Sequence, residues 1–129
     1  MTIQLNVGIR NMIVDNIAGQ LGWGVVEIYS GAQPASADNA ATGTLLATIQ
    51  MNGLAPAVNG VADLNMDATG TAVATGTAGY ARWRDTMADA LRFDGSVGTS
   101  GTDFVVSNTS IVNGDTVTLT HLNLTQPAS

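Results

Sequence analysis

Few residues in this chain could do acid–base, nucleophilic or metal chemistry, and their spacings fit turns and strand faces better than a reaction centre. His121 is the single histidine and there is no cysteine. A histidine pair, a thiolate metal site, a disulfide and a cysteine nucleophile are thereby excluded within one subunit. A Ser-His-Asp arrangement needs only one histidine, but the glycine-flanked serine elbow that presents such a nucleophile does not occur. Ser96, in Asp94-Gly95-Ser96-Val97-Gly98, lacks the glycine two positions earlier. Asp63-Leu64-Asn65-Met66-Asp67 opens like a calcium loop, with oxygen ligands at alternate positions. The match then fails, because Ala68 stands where the sharp turn needs glycine and Ala74 where a bidentate glutamate would close the shell. The same alternation suits a strand with Ala62, Leu64 and Met66 facing inward.

Asp38, Asp85, Asp89, Asp94 and Asp115 sit singly in turn-like contexts, where an aspartate side chain bonds the backbone two residues on. A glycosidase pair would be formed only in space, and nothing in the spacing supports one. Gly22-Trp23-Gly24 lacks the third glycine of a dinucleotide loop, and no Gly-Lys-Ser/Thr phosphate motif occurs. The expectation is a protein that is not an enzyme, with no catalytic residue, no cofactor and no metal.

All four basic residues are arginines: Arg10, Arg82, Arg84 and Arg92. On a strand, Tyr80, Arg82 and Arg84 share one face, and Gly79, Ala81, Trp83 and Asp85 the other. With Arg92 on the next strand, the arginines make either a contact patch for an acidic partner or cross-strand ion pairs with Asp85, Asp89 and Asp94. Trp83 reads as core, and Trp23 as a core lid or an interface anchor.

These groups must be positioned by a small, mostly β framework. The chain has 129 residues, 45% of them hydrophobic and only 11% charged, with a formal charge of −6. That length holds one core, so residues 1–129 are expected to form a single domain, 1–21 an N-terminal arm and helix and 22–129 a β-sandwich. The acidic balance, with a pI near 4.1, argues against nucleic acid as a partner. No apolar run approaches the roughly 18 residues of a membrane helix, and the N-terminus has no signal-like charge and apolar order, so a soluble protein folded inside a cell is expected.

Ile9, Met12, Ile13, Ile17 and Leu21 recur at spacings of three and four, which predicts a helix over residues 7–19 with that stripe inward and Arg10, Asn11, Asp15 and Gln20 outward. Asn6 supplies the N-cap, and Gly19 or Gly22 the ending. From Val25 the period becomes two. Strands are predicted over 25–29, 45–51, 60–67, 72–84, 90–97, 102–107 and 116–125. The fold class is all-β: a two-layer β-sandwich or jelly-roll-like domain of about seven strands with one short N-terminal helix. Residues 31–43, with Gln33 and Pro34, read as a long loop without an apolar anchor, a functional surface or flexible arm. Residues 85–89 read as a hairpin connection and 95–101 as a glycine-rich turn. Thr-Gly-Thr recurs at Thr42, Thr69 and Thr75, a shared turn-to-strand device. Val117 and Leu119 fall at odd positions and Leu122 and Leu124 at even ones, which predicts a β-bulge or a strand crossing between sheets near Thr120 and His121.

As a set, Val26-Glu27-Ile28-Tyr29-Ser30-Gly31-Ala32-Gln33-Pro34-Ala35, Thr44-Leu45-Leu46-Ala47-Thr48, Ala78-Gly79-Tyr80-Ala81-Arg82-Trp83-Arg84-Asp85, Phe93-Asp94-Gly95-Ser96-Val97-Gly98 and Ser110-Ile111-Val112 resemble small virion proteins of tailed double-stranded DNA bacteriophages. The likeness includes the N-terminal helix with its Arg10-Asn11 pair. It implies a capsid or tail component, carries no catalytic residues, and suits a composition poor in charge, since each immobilised lysine at a contact costs about 0.5–1.5 kcal/mol. The expected role is a capsid decoration (cement) protein on the outer head surface, made in the host bacterial cytoplasm. Its expected partners are the major capsid protein lattice and its own copies, as a homotrimer. The alternatives are a tail, collar or fibre-associated protein, and a surface carbohydrate-binding module using Trp23, Tyr29 or Tyr80. The candidate contacts are Ile9, Arg10, Ile13, Ile17, Trp23, Gln33, Pro34, Arg82, Arg84 and Arg92.

Overall fold

A computed structural model of the chain describes residues 3–21, 24–51, 59–63, 68–85 and 92–125. One helix, α1 (Val7–Leu21), precedes nine strands: β1 (Val25–Ser30), β2 (Leu45–Gln50), β3 (Val61–Asp63), β4 (Ala68–Thr71), β5 (Gly76–Arg84), β6 (Arg92–Gly98), β7 (Phe104–Val106), β8 (Ser110–Ile111) and β9 (Thr116–Thr125). The all-β class with a single N-terminal helix stands. Its two layers are opposite walls of one rolled sheet.

The sheet runs β2-β1-β5-β6-β7-β9, antiparallel except for the β6/β7 pair. The first half of β9 then pairs with β4 and its second half with β3, while β8 caps the start of β5. The ring nearly closes where β4 returns to β2, through the bridge Ala47↔Ala72 and the bond from the Val73 amide to the Leu46 carbonyl, 2.8 Å. Closure removes the exposed edges that an open sheet of this size would leave. The interior is filled by Val26, Ile28, Leu46, Ile49, Met51, Trp83, Phe104, Val106, Leu119 and Leu122, each of them at 2% exposure or less.

Two of the Thr-Gly-Thr glycines sit where backbones come close, Gly70 at this closure and Gly43 at the connection between β1 and β2. Gly43 adopts φ +78° and a side chain there would meet the Ser30 carbonyl at 1.9 Å; a side chain at Gly70 would meet the Thr48 carbonyl at 2.1 Å. Only glycine lets the backbones approach so closely.

Several boundaries differ from the periodicity. The predicted 60–67 strand begins as β3, and residues 64–67, with the calcium-like stretch, lie outside the described residues. The predicted 72–84 strand starts later, at Gly76, because residues 73–75 leave the ladder after the seam. Short β8 has too few residues to show a period. The predicted glycine-rich turn at 95–101 is in its first half strand β6: Gly95 is buried, with the Phe104 ring 2.8 Å from where its Cβ would lie, so glycine there makes room for an aromatic ring. The predicted irregularity in β9 is a bulge: Val106 pairs with Leu119 and Val105 with His121, leaving Thr120 as the extra residue, its Oγ1 donating to the Val105 carbonyl at 3.1 Å.

The helix is capped as expected, with the Ile9 amide donating to Asn6 Oδ1 at 2.9 Å. Gly19 lies within it, and Gly22 lies outside the described residues. Its inward face is a correction. Val14 is buried, at 1% exposure, and Ile17 is packed against the core. Arg10 and Asn11, expected outward, bind the turn before β3: Arg10 Nη1 donates to the Asn59 carbonyl at 3.3 Å, and Asn11 Oδ1 accepts from the Gly60 amide at 2.8 Å. Ile9 and Met12, expected inward, are 46% and 71% exposed. Two polar groups at fixed positions on that turn rotate the helix away from its most apolar stripe, since the turn's amide and carbonyl need partners.

Candidate functional site on the arginine face

Because β1, β2, β5 and β6 are in antiparallel register, side chains opposite one another share a face. Inward go Val26, Ile28, Ala81 and Trp83; outward go Glu27, Tyr29, Tyr80, Arg82, Arg84, Arg92 and Asp94. Trp83 is fully buried, as its position opposite the arginines predicts.

Among the described residues, each outer group except Arg92 is engaged. Arg82 lies directly opposite Asp94 and grips it through two bonds, Nε to Oδ1 at 2.7 Å and Nη2 to Oδ2 at 3.0 Å, both side chains 3% exposed. The carboxylate beside it holds the Arg82 guanidinium above its already high ordinary pKa. Arg84 reaches diagonally to Glu27, Nε to Oε1 at 2.9 Å, and donates through Nη1 to its neighbour's carbonyl at Asp85, 3.2 Å. Tyr29 donates to the same Glu27 oxygen at 3.2 Å and stacks on Tyr80, ring centroids 5.2 Å apart. Burial first, then the Glu27 charge, push the Tyr29 hydroxyl up to about 12. Of the two readings of the arginines, cross-strand pairing accounts for Arg82 with Asp94. Arg84 pairs with a residue of β1 that sequence spacing could not single out. Asp89 lies outside the described residues.

The loop over residues 31–43 is fastened to this face by polar groups. The Tyr80 hydroxyl donates to the Thr42 carbonyl at 2.8 Å and accepts from the Thr42 amide at 2.9 Å, and Arg82 Nη2 donates to the Asn39 carbonyl at 2.8 Å. It needs no apolar anchor because the sheet supplies polar ones. Gln33 is exposed and Pro34 half-buried on this strap. Between strap and sheet lies a cleft of about 390 Å³ lined by Glu27, Tyr29, Ala40, Ala41, Arg82, Arg84 and Arg92.

The remaining candidates among the described residues lie apart from this cleft. Ile9 is exposed on α1, Ile13 and Ile17 are half-buried on it, Arg10 is docked at Asn59 with its Nε buried and unbonded, and Trp23 lies outside the described residues. Tyr80 is wholly buried and its ring is stacked on Tyr29, so it offers no face to a sugar. The Ser96 hydroxyl donates to Asp103 Oδ2 at 3.1 Å and accepts from the Asp103 amide, a local turn. His121 is exposed on β9. Among the described residues, no group of three histidine or acidic side chains is placed to hold a metal ion, and no helix is long and apolar enough to cross a membrane. Sequence reasoning missed Glu27 and the strap contacts Asn39 and Thr42. The signal for Glu27 was present, a lone acid in an otherwise apolar strand, Val25-Val26-Glu27-Ile28.

No family model matches the chain, and no curated protein or solved structure is significantly similar to it.

Proposed function

We propose that this chain is a non-enzymatic structural protein of a tailed-phage virion, a decoration protein that binds the outer head lattice as a homotrimer and stabilises it. The observation that supports this reading is the placement of exposed apolar side chains. Ile3, Val7, Ile9 and Met12, at 78%, 41%, 46% and 71% exposure, fall together on one short N-terminal stretch. Among the described residues, the other large exposed apolar side chains are only Val73 and Val112. Clustered apolar exposure marks a surface that is covered by a partner. The resemblance to phage virion proteins, which implies a capsid or tail component, makes that partner a virion surface, and of the two we take the capsid lattice as the leading reading. Binding between neighbouring capsid subunits adds free energy that exists only in the assembled head, and so opposes its expansion, as any ligand of a native state does.

The test is the stoichiometry of purified particles together with the double variant I9N/M12N. Both side chains are exposed, so the variant keeps its fold and stability to within about 0.5 kcal/mol. A decoration protein is present in hundreds of copies, and the variant leaves the head. Full occupancy by the variant would remove the N-terminal contact; a handful of copies would place the chain on the tail or collar instead.

A further inference from the structure

We infer that the cleft beneath the strap is a receptor for one carboxylate, supplied by an aspartate or glutamate side chain of a partner protein and received by Arg92 with Arg84. The argument is one of charge and register. Arg82 is neutralised by Asp94 and Arg84 by Glu27, while Arg92 has no ion-pair or hydrogen-bond partner among the described residues. Arg92 stands directly opposite Arg84 across β5 and β6, and like charges in that relation repel. An anion between two such guanidinium groups converts the repulsion into attraction: the planar fork of Arg92 suits a carboxylate's two oxygens, and Arg84, already engaged by Glu27 and the Asp85 carbonyl, adds its charge beside them. The cleft opens beside both groups and past the exposed Ala40 and Ala41.

The chemical class follows from the same arithmetic. Among the described residues one positive charge on this face is unmatched, and the Glu27 carboxylate is part of the wall. A singly charged carboxylate balances the site; a dianionic phosphate would overfill it and face Glu27 across the cleft. The cleft stands on its own geometry, and only the source of the carboxylate, an acidic residue of the capsid lattice, rests on the function proposed above.

The test is side-chain NMR of the arginine Nε–Hε groups in the full chain, titrated to tens of millimolar with N-acetylglutamate α-methylamide, which carries one side-chain carboxylate, and separately with inorganic phosphate. Saturable shifts are expected at Arg92 and Arg84 but not at Arg10. R92Q should weaken binding at least about tenfold, with R92K intermediate because it keeps the charge and loses the fork. Absence of saturation, equal shifts at Arg10, or tighter binding of phosphate would overturn the assignment. A chain that binds this probe yet is absent from virions would keep the cleft and sink the proposed function, so the two fail separately.

Discussion

At the residue scale the arginine face shows why one signal had two readings. Alternation along Tyr80 to Arg84 places the arginines on one face, but it cannot say which acid each one meets, because pairing is decided by register with strands far away in sequence. Arg82 and Asp94 form a buried fork, and removing one partner strands the other charge in a site closed to water. D94N is therefore expected to cost about 3–5 kcal/mol, measured by urea unfolding, while replacement of both by apolar residues of similar volume costs far less. Tyr29 makes a second prediction. Its hydroxyl titrates at about 12 in the folded chain and near 10 when unfolded, so the unfolded state releases this proton first as pH rises. The stabilisation is fully present below pH 10 and is lost as pH climbs from 10 through 12. Unfolding curves across that window should show a steeper decline for the native sequence than for Y29F, and tyrosinate absorbance should place the Tyr29 step lower in E27Q. Parallel declines in the two chains would refute the assignment.

The elements were legible where period and burial agree, and illegible where a polar contact overrides the pattern. Strand β9 is found over its full predicted range, and its bulge was visible as a change of phase between Leu119 and Leu122. The helix was also legible, with its cap, but not its orientation. Of the stripe from Ile9 to Leu21 that looked inward, Ile17 does pack on the core, but Ile9 and Met12 are exposed and Val14 is buried, while Arg10 and Asn11 bond the Asn59–Gly60 turn. Nothing local to the helix encodes a turn that lies 49 residues away. The glycines behaved similarly: composition marks them as turns, whereas Gly70 and Gly95 lie in strands that another chain segment crosses closely. G70A is expected to wedge the β2/β4 seam, lowering stability by about 1–3 kcal/mol. It should also speed hydrogen exchange at Val73, whose amide bonds across that seam, while T69A on the exposed neighbour should do neither.

At the scale of the whole molecule, a nearly closed barrel has most of the large exposed apolar side chains among the described residues on its N-terminal stretch, and a strap over its charged face that leaves a cleft beside Arg84 and Arg92. Period-two alternation between turn clusters foretold the all-β class, and composition the low charge. Closure was not legible, since the return of β4 to β2 joins segments distant in sequence, and Gly70, which permits it, reads in the sequence only as a turn residue. Under the function proposed above, the N-terminal stretch is the surface a partner covers, and the cleft on the barrel wall is a second, polar contact. The most direct test is cryo-electron microscopy of intact particles with this chain labelled. The account predicts density repeated at the local three-fold positions of the head, with α1 turned toward the capsid surface; density confined to the portal or tail axis, or none on the particle, would contradict it.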